Sequence, residues 1–208
     1  MAISYDVVFF DFDGTLVQSA GAKYEVFFAI FPATAGHRAT VAQVLERDPD
    51  GSRYAVIPRM IEGIRARGLD LPPGHSAEDR IAAYAAAAFE LVARSPEMPG
   101  ASRLLQALGG RVHRVIMSVT PQAALDELIR RRGWQGLVEE AYGYPAAKPE
   151  IIARVLRRLG KAPGSAAVVG DGVSDADAAL LNGCPFFGIS GPQDLESVAD
   201  ELGVELVR

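Results

Sequence analysis

The sequence predicts an α/β fold in which a parallel sheet is interrupted by a long, purely helical insert. Four short runs rich in β-branched and aromatic residues have the composition of buried strands, at residues 5–10, 112–117, 166–169 and 185–189. Each run is followed by turn residues and then by a stretch with helical character, and this alternation is typical of parallel βα units. Residues 18–98 contain helical segments but no strand-like run. We therefore predict an α/β core domain formed by residues 1–17 and 99–208, with an all-helical domain inserted at residues 18–98.

The individual elements carry their own signals. The first run, YDVVFF at residues 5–10, is apolar on both faces, as expected for a central strand covered by helices on both sides. Three later helices are predicted to begin at Thr120 with Pro121, at Lys148 with Pro149, and at Ser174. In the insert, clusters of Pro, Gly and Asp separate four predicted helices near residues 22–31, 38–47, 52–67 and 76–94.

The composition is that of an ordinary soluble globular protein. The chain has 208 residues, of which 49% are hydrophobic and 23% are charged, and it has a net charge of -5 with basic residues scattered among the acidic ones. This balance argues against a nucleic-acid partner, and the absence of a run of about 18 apolar residues argues against a membrane span. The single cysteine, Cys184, cannot form an internal disulfide, which favours a reducing compartment. We therefore expect a cytoplasmic protein.

Two carboxylates, Asp11 and Asp13, come directly after the first predicted strand and are followed by Gly14. An Asp-Gly turn accounts for Asp13 and Gly14. It does not account for Asp11, because a carboxylate at the end of an apolar strand must be hydrated, paired or bound to a metal. A carboxylate in this position could attack an electrophile such as phosphorus, and a second one nearby could protonate a leaving group or activate water.

A second acidic group follows the strand at residues 166–169, in the segment GDGVSDAD. Helix capping accounts for Ser174 and Asp177 in this segment but leaves Asp171 and Asp175 unexplained. Carboxylates gathered at one edge of a sheet repel one another unless a cation joins them, and oxygen ligands suit Mg²⁺. The sequence therefore predicts a magnesium site that includes Asp11 and Asp171.

Two further polar residues lie just before or at the start of a predicted helix. Ser118 comes after the second strand and could hold an anion with nearby backbone N–H groups, although helix capping is an equally simple explanation. Lys148 begins a helix, where the helix dipole already places positive charge, so an anionic partner is expected. A solvated surface lysine remains the alternative for this residue.

Taken in chain order, these four features resemble the motifs of the haloacid dehalogenase superfamily of phosphohydrolases. The family pattern is DxDGT(L/V), then Ser or Thr after a strand, then Lys, then GDxxxD, and it is matched here by residues 11–17, Ser118, Lys148 and residues 170–175. The resemblance implies a doubly wound, flavodoxin-like parallel sheet. It also implies that the insert is a helical cap, as in the branch that contains phosphoglycolate phosphatase and β-phosphoglucomutase.

The resemblance also implies a role for each matched residue. Asp11 would attack phosphorus to form an aspartyl-phosphate, Asp13 would act as general acid and then general base, and Ser118 and Lys148 would hold the phosphoryl oxygens. Mg²⁺ would be bound by Asp11, Asp13 through its backbone carbonyl, and Asp171, with Asp175 supporting it directly or through water. Gly14, Thr15 and Val119 would complete the phosphoryl-binding site.

Several activities use this scaffold, and the sequence separates them only in part. Dehalogenases resemble the chain least, because their pattern lacks the second aspartate, here Asp13. A sugar-phosphate mutase would keep all four motifs, and a receiver-like phospho-switch would share the acids and the lysine but would have little use for a helical insert. We predict a magnesium-dependent phosphatase of a small phosphorylated metabolite, acting as a monomer or weak homodimer. In the insert, Lys23 and Arg53 are the candidates for contacts with a second anionic group of the substrate.

Overall fold

A computed structural model describes residues 5–49, 51–191 and 194–206, and it divides the chain into two compact units. The first unit contains the residues up to Ser19 and those from Ser95 onward, and the second extends from Ala20 to Arg94. The first unit is α/β, whereas the second is entirely helical in its described residues. Among the described residues, no helix is both long and apolar enough to cross a membrane.

Four helices form the helical unit: α1 (Ala20–Ala29), α2 (Ala35–Arg47), α3 (Arg53–Ala66) and α4 (Ala77–Arg94). Their apolar faces meet in a core that includes Val41 and Ile57, both completely buried. Phe27 stacks on Tyr84 in the same core, with their ring centroids 4.2 Å apart. The four helices predicted in the insert are confirmed, and their bounds agree to within three residues.

The α/β unit contains a sheet of five parallel strands: β1 (Val7–Asp11), β2 (His113–Pro121), β3 (Glu140–Tyr144), β4 (Ala166–Gly170) and β5 (Phe186–Gly188). Their order across the sheet is β3-β2-β1-β4-β5. The chain therefore runs outward from β1 to one edge and then returns to the other side of β1. At such a reversal, the connections after the two central strands diverge and leave a crevice at their carboxyl ends, where open α/β sheets bind ligands.

Helices cover both faces of this sheet: α5 (Ala101–Leu108), α6 (Gln122–Arg131), α7 (Lys148–Leu159), α8 (Val173–Asn182) and α9 (Asp194–Leu202). On one face, Val7 and Phe9 of β1 pack in a cluster with Ile152 of α7. Val8 and Phe10 point to the opposite face and are also completely buried. Burial on both faces explains why the first strand is apolar throughout, and it confirms that β1 is a central strand.

Two predicted helix starts are wrong. Thr120 does not cap α6, because it still belongs to β2 and Pro121 occupies the N-cap position. Ser174 does not cap α8, because the helix already begins at Val173 after Gly172. In both places other hydrogen bonds are formed instead: the Thr120 hydroxyl donates to Asp13, and the Gly172 N–H donates to Asp175.

The strand β3 is absent from the predicted elements. Its sequence, EAYGY, combines a charged residue, a glycine and two tyrosines, and its residues are mostly half-buried at the edge of the sheet. An edge strand is covered less than a central one, so it lacks the continuous apolar run that revealed β1 and β4.

Candidate active site

The predicted acidic residues meet at the carboxyl ends of two neighbouring strands. Asp11 is the last residue of β1 and Asp171 follows directly after β4. The two strands are paired in parallel up to Phe10 and Val169, so the segments that follow them leave the sheet side by side. Asp11, Asp171 and Asp175 each offer a carboxylate oxygen, and these oxygens all lie within 4.8 Å of one another.

Lys148 joins two of these acids. It is the first residue of α7, and its Nζ lies 2.8 Å from Asp11 Oδ1 and 2.8 Å from Asp175 Oδ1. The three side chains are only 10%, 7% and 1% exposed, so water screens these ion pairs weakly. Burial opposes the charge on the lysine, but the two carboxylates outweigh burial and raise the pKa of Lys148 above its ordinary value. Lys148 is therefore a fixed positive charge beside Asp11.

The carboxylates of Asp11 and Asp171 have too little positive charge nearby to offset their burial and their mutual repulsion with Asp175. Burial, together with repulsion from Asp175 and Asp13, raises the pKa of Asp11 to about 7 against the opposing influence of Lys148. Partial burial and the negative charge of Asp175 raise the pKa of Asp171 to about 6. A group of oxygen donors that resists ionisation for lack of a counter-charge fits a hard divalent cation, which would supply that charge.

Asp13 lies in a different environment from Asp11, because the hydrogen bonds described for its side chain come from hydroxyl groups. Its Oδ1 accepts a hydrogen bond from Ser19 Oγ at 2.7 Å. Its Oδ2 accepts one from Thr120 Oγ1 at 3.1 Å and a longer contact from Ser118 Oγ at 3.4 Å. Val119 lies between these two β2 residues, and its side chain is 39% exposed. Two aspartates only two residues apart are thus held by unlike partners, one by an ammonium group and the other by hydroxyls.

The loop after β1 differs from the prediction in two details. The Gly14 N–H, which we expected to face the phosphoryl group, donates to the Val17 carbonyl at 2.7 Å. Gly14 itself has a φ of 90°, a left-handed conformation that favours glycine and lets the chain turn back sharply. Thr15 is completely buried, and its hydroxyl donates to Asp171 Oδ1 at 3.2 Å. Thr15 therefore supports an acidic residue of the site.

Sequence reasoning missed the contribution of Gly170, the last residue of β4. A Cβ atom at this position would lie 2.3 Å from Asp175 Cγ, so only glycine lets the Asp175 carboxylate reach Lys148. The sequence signal for this close approach is the glycine that precedes Asp171 in the GDxxxD motif. Ser19 and Thr120 were also missed as partners of Asp13, although the alternation Ser118-Val119-Thr120 places two hydroxyls on one face of a strand.

The remaining predicted residues, Lys23 and Arg53, belong to the helical unit. Arg53 is the first residue of α3, is buried, and holds its guanidinium carbon 4.7 Å from the centroid of the Tyr84 ring. Lys23 lies on α1, and its backbone carbonyl accepts a hydrogen bond from the Tyr84 hydroxyl at 3.4 Å. The contacts described for both residues lie within their own unit.

The fold and the acidic site together define a class of hydrolase. The chain belongs to the haloacid dehalogenase-like hydrolase family, whose sequence model matches residues 5–183. The matched range includes Asp11, Asp13, Ser118 and Lys148, and it extends past the acidic segment after β4. No curated protein matches the chain.

Several solved structures share the fold. One, described as a predicted phosphoglycolate phosphatase from Haemophilus somnus 129PT, is 18% identical with a TM-score of 0.69, and the match covers 89% of this chain and 85% of that one. A protein provisionally named β-phosphoglucomutase from Thermotoga maritima is 20% identical with a TM-score of 0.68, covering 94% and 99%. The provisionally named HAD-hydrolase YfnB from Bacillus subtilis, bound to magnesium, is 16% identical with a TM-score of 0.71, covering 96% and 99%. These likenesses concern the fold.

Proposed function

We propose that this hydrolase is a magnesium-dependent phosphatase, which cleaves phosphate monoesters of small metabolites through an aspartyl-phosphate. The observation that carries the proposal is the contrast between Asp11, paired with the Lys148 ammonium group, and Asp13, held by hydroxyls. A carboxylate kept beside a fixed cation suits nucleophilic attack on an anionic phosphoryl group. A second carboxylate that accepts hydrogen bonds from hydroxyl groups suits proton transfer, because a hydroxyl can donate to its ionised form and accept from its protonated form.

The proposed reaction has two steps. In the first, a carboxylate oxygen of Asp11 attacks phosphorus, and the bond from phosphorus to the ester oxygen breaks as Asp13 gives that oxygen a proton. In the second, water attacks phosphorus while Asp13 takes a proton from it, and the bond to the Asp11 oxygen breaks to release inorganic phosphate. Lys148 offsets the charge of the phosphoryl oxygens throughout, and Ser118 donates a hydrogen bond to one of them.

Asp11 and Asp171 would hold Mg²⁺, with the backbone carbonyl of Asp13 as a further ligand. When bound there, the ion supplies positive charge that stabilises the phosphoryl group in transfer. Both carboxylate oxygens of Asp175 already accept hydrogen bonds, from Lys148 Nζ and from the Gly172 N–H at 3.2 Å. We therefore propose that Asp175 orients Lys148 and supports the metal site without binding the ion directly.

We further propose that the helical unit is a cap that selects the substrate, with Lys23 and Arg53 as its candidate cations. The names given to the similar structures, which include phosphoglycolate phosphatase and β-phosphoglucomutase, are consistent with a small phosphorylated substrate. A cytoplasmic location and a monomer or weak homodimer remain part of the same proposal.

The test of the reaction is the release of inorganic phosphate from a panel of sugar phosphates, phosphoglycolate, nucleotides, glycerol phosphate and 4-nitrophenyl phosphate. We expect turnover with Mg²⁺, loss of turnover in EDTA, and a loss of about 10³-fold or more in Asp11→Asn. The matched control is Asp6→Asn, because Asp6 is an exposed surface partner of Lys161.

Each alternative outcome would change the proposal in a different way. Turnover that survives in Asp11→Asn would remove Asp11 as the nucleophile. Transfer of phosphate between two positions of a sugar without release would indicate a mutase, and a long-lived aspartyl-phosphate would indicate a switch. An absence of release from every substrate by the folded protein would refute the phosphatase.

Metal binding can be tested without any turnover. We expect Mg²⁺ to raise the melting temperature of the wild type, because a ligand that binds only the folded state stabilises it. Asp171→Asn should abolish this increase. Asp177→Asn, which changes an exposed aspartate of α8, should keep it. An equal Mg²⁺ response in all three proteins would contradict the assignment of Asp171.

A further inference from the structure

We propose that Thr120 is a positioning residue for the acid–base chemistry of Asp13, an inference that rests on the proposed phosphatase function. The observation is the hydrogen bond from Thr120 Oγ1 to Asp13 Oδ2, 3.1 Å long, between residues 107 positions apart in the chain. Thr120 is only 4% exposed, so water has little access to the donor side of this hydrogen bond.

The local backbone explains how Thr120 reaches Asp13. The pairing of β2 with β3 becomes irregular between Met117 and Pro121, and such irregularities re-aim side chains next to functional sites. Because side chains alternate along an extended chain, Ser118 and Thr120 share one face and both direct their hydroxyls to Asp13 Oδ2. The Thr120 N–H also donates to Ser118 Oγ at 3.0 Å, so one residue orients both the acid and the neighbouring hydroxyl.

A hydroxyl is chemically suited to this task. Asp13 must carry a proton when it acts as the acid and must lose it before it acts as the base. A threonine hydroxyl donates to the ionised carboxylate and can rotate to accept from the protonated form, so it holds Asp13 in both states and keeps its own proton.

Neither helix capping nor strand stability accounts for this hydroxyl. Thr120 does not cap α6, whose N-cap is Pro121 and which has no side-chain cap hydrogen bond. Valine has almost the same shape and is favoured in buried strands, so burying a hydroxyl here brings a cost unless its hydrogen bond is used. The hydrogen bond to Asp13 gives this buried hydroxyl a use that neither capping nor strand packing supplies.

The experiment compares two substrates whose leaving groups differ in their need for a proton. An alkyl phosphate such as glycerol phosphate needs a proton on its departing oxygen, whereas 4-nitrophenolate leaves without one. The quantity measured is kcat/KM, which covers the steps up to formation of the aspartyl-phosphate and is not affected by the later hydrolysis. The variants are Thr120→Val, which removes the hydroxyl, and Thr120→Ser, which keeps it.

We expect Thr120→Val to lower kcat/KM about ten-fold for the alkyl phosphate and less than about three-fold for 4-nitrophenyl phosphate. Thr120→Ser should restore most of the loss. The matched control is Thr40→Val in the helical unit, which removes another buried hydroxyl, one that donates to the Gly36 carbonyl at 2.8 Å. This control should leave unchanged the ratio of kcat/KM for the alkyl phosphate to kcat/KM for 4-nitrophenyl phosphate.

The outcomes separate this inference from the function on which it rests. If the wild type hydrolyses both substrates and Thr120→Val lowers both equally or neither, the positioning role of Thr120 is overturned and the phosphatase stands. If the folded wild type releases phosphate from no substrate of the panel, the phosphatase itself is overturned. Should Thr120→Val fail to fold, Thr120→Ala removes the same hydroxyl without introducing a second methyl group and is judged by the same ratio.

Discussion

Replacing Lys148 by methionine would test the electrostatics of the site in the metal-free protein. The change removes an ammonium group that lies 2.8 Å from both Asp11 and Asp175 and leaves two carboxylates that are 7% and 1% exposed. Loss of one partner of a buried ion pair costs about 3–5 kcal/mol in the free energy of unfolding. For a protein of this size, about 3 kcal/mol corresponds to a decrease of about 6–12 °C in the melting temperature.

The effect should depend on pH in a definite direction. The folded-state pKa of Asp11 is raised to about 7 from 3.8, so its ionised form is unfavourable in the fold and becomes more populated as the pH rises through this range. At pH 5 a proton can neutralise Asp11 and offset part of the loss of Lys148, whereas at pH 8 it cannot. We therefore expect a larger difference in melting temperature between Lys148→Met and the wild type at pH 8 than at pH 5.

The assay is thermal unfolding followed by circular dichroism in EDTA at both pH values. Lys161→Met is the control, because Lys161 and its partner Asp6 are 41% and 50% exposed, and a surface pair contributes about 0–1 kcal/mol. If Lys148→Met melted within about 2 °C of Lys161→Met at pH 8, the argument from buried charge would be refuted.

Two more predictions concern packing. Gly170→Ala should lower the free energy of unfolding by about 2 kcal/mol, since its Cβ would lie 2.3 Å from Asp175 Cγ, while Gly164→Ala, with nothing within 4 Å, should change it little in urea titrations. Equal midpoints for the two variants would argue against the close approach at Gly170. Cys184 is 8% exposed and burial raises the pKa of its thiol, so a thiol reagent should label it slowly in the native protein and quickly in urea. Fast labelling of the native protein would show that the thiol is accessible.

Much of the fold was predictable because it depends on patterns that are local in the chain. The apolar run that ends at Phe10 predicted a central strand, and the stretch at residues 76–94 predicted the long helix α4. The meeting of Asp11 with Asp171 was predictable as well, since both follow parallel strands and the carboxyl ends of parallel strands lie at one edge of a sheet.

Other features depended on which of two possible partners a polar group meets in the fold. The helix start expected at Thr120 was wrong because the threonine hydroxyl is bonded to Asp13, a residue far away in the chain. The Gly14 N–H, expected to face a ligand, instead closes a turn with the Val17 carbonyl. In both cases a polar group had two possible partners of comparable strength, and only the tertiary arrangement decided between them.

The sequence by itself determined the α/β class, the helical insert and the identity of the four acids, because periodicity and composition encode burial and the motifs place acids after strands. Only the tertiary structure decided how these acids differ. It brings Lys148 between Asp11 and Asp175, and it brings the hydroxyls of Ser19 and Thr120 to the carboxylate of Asp13. The physical reason is that the charge state of a carboxylate depends on burial and on neighbours within a few ångströms, and these are set by packing between segments far apart in the chain.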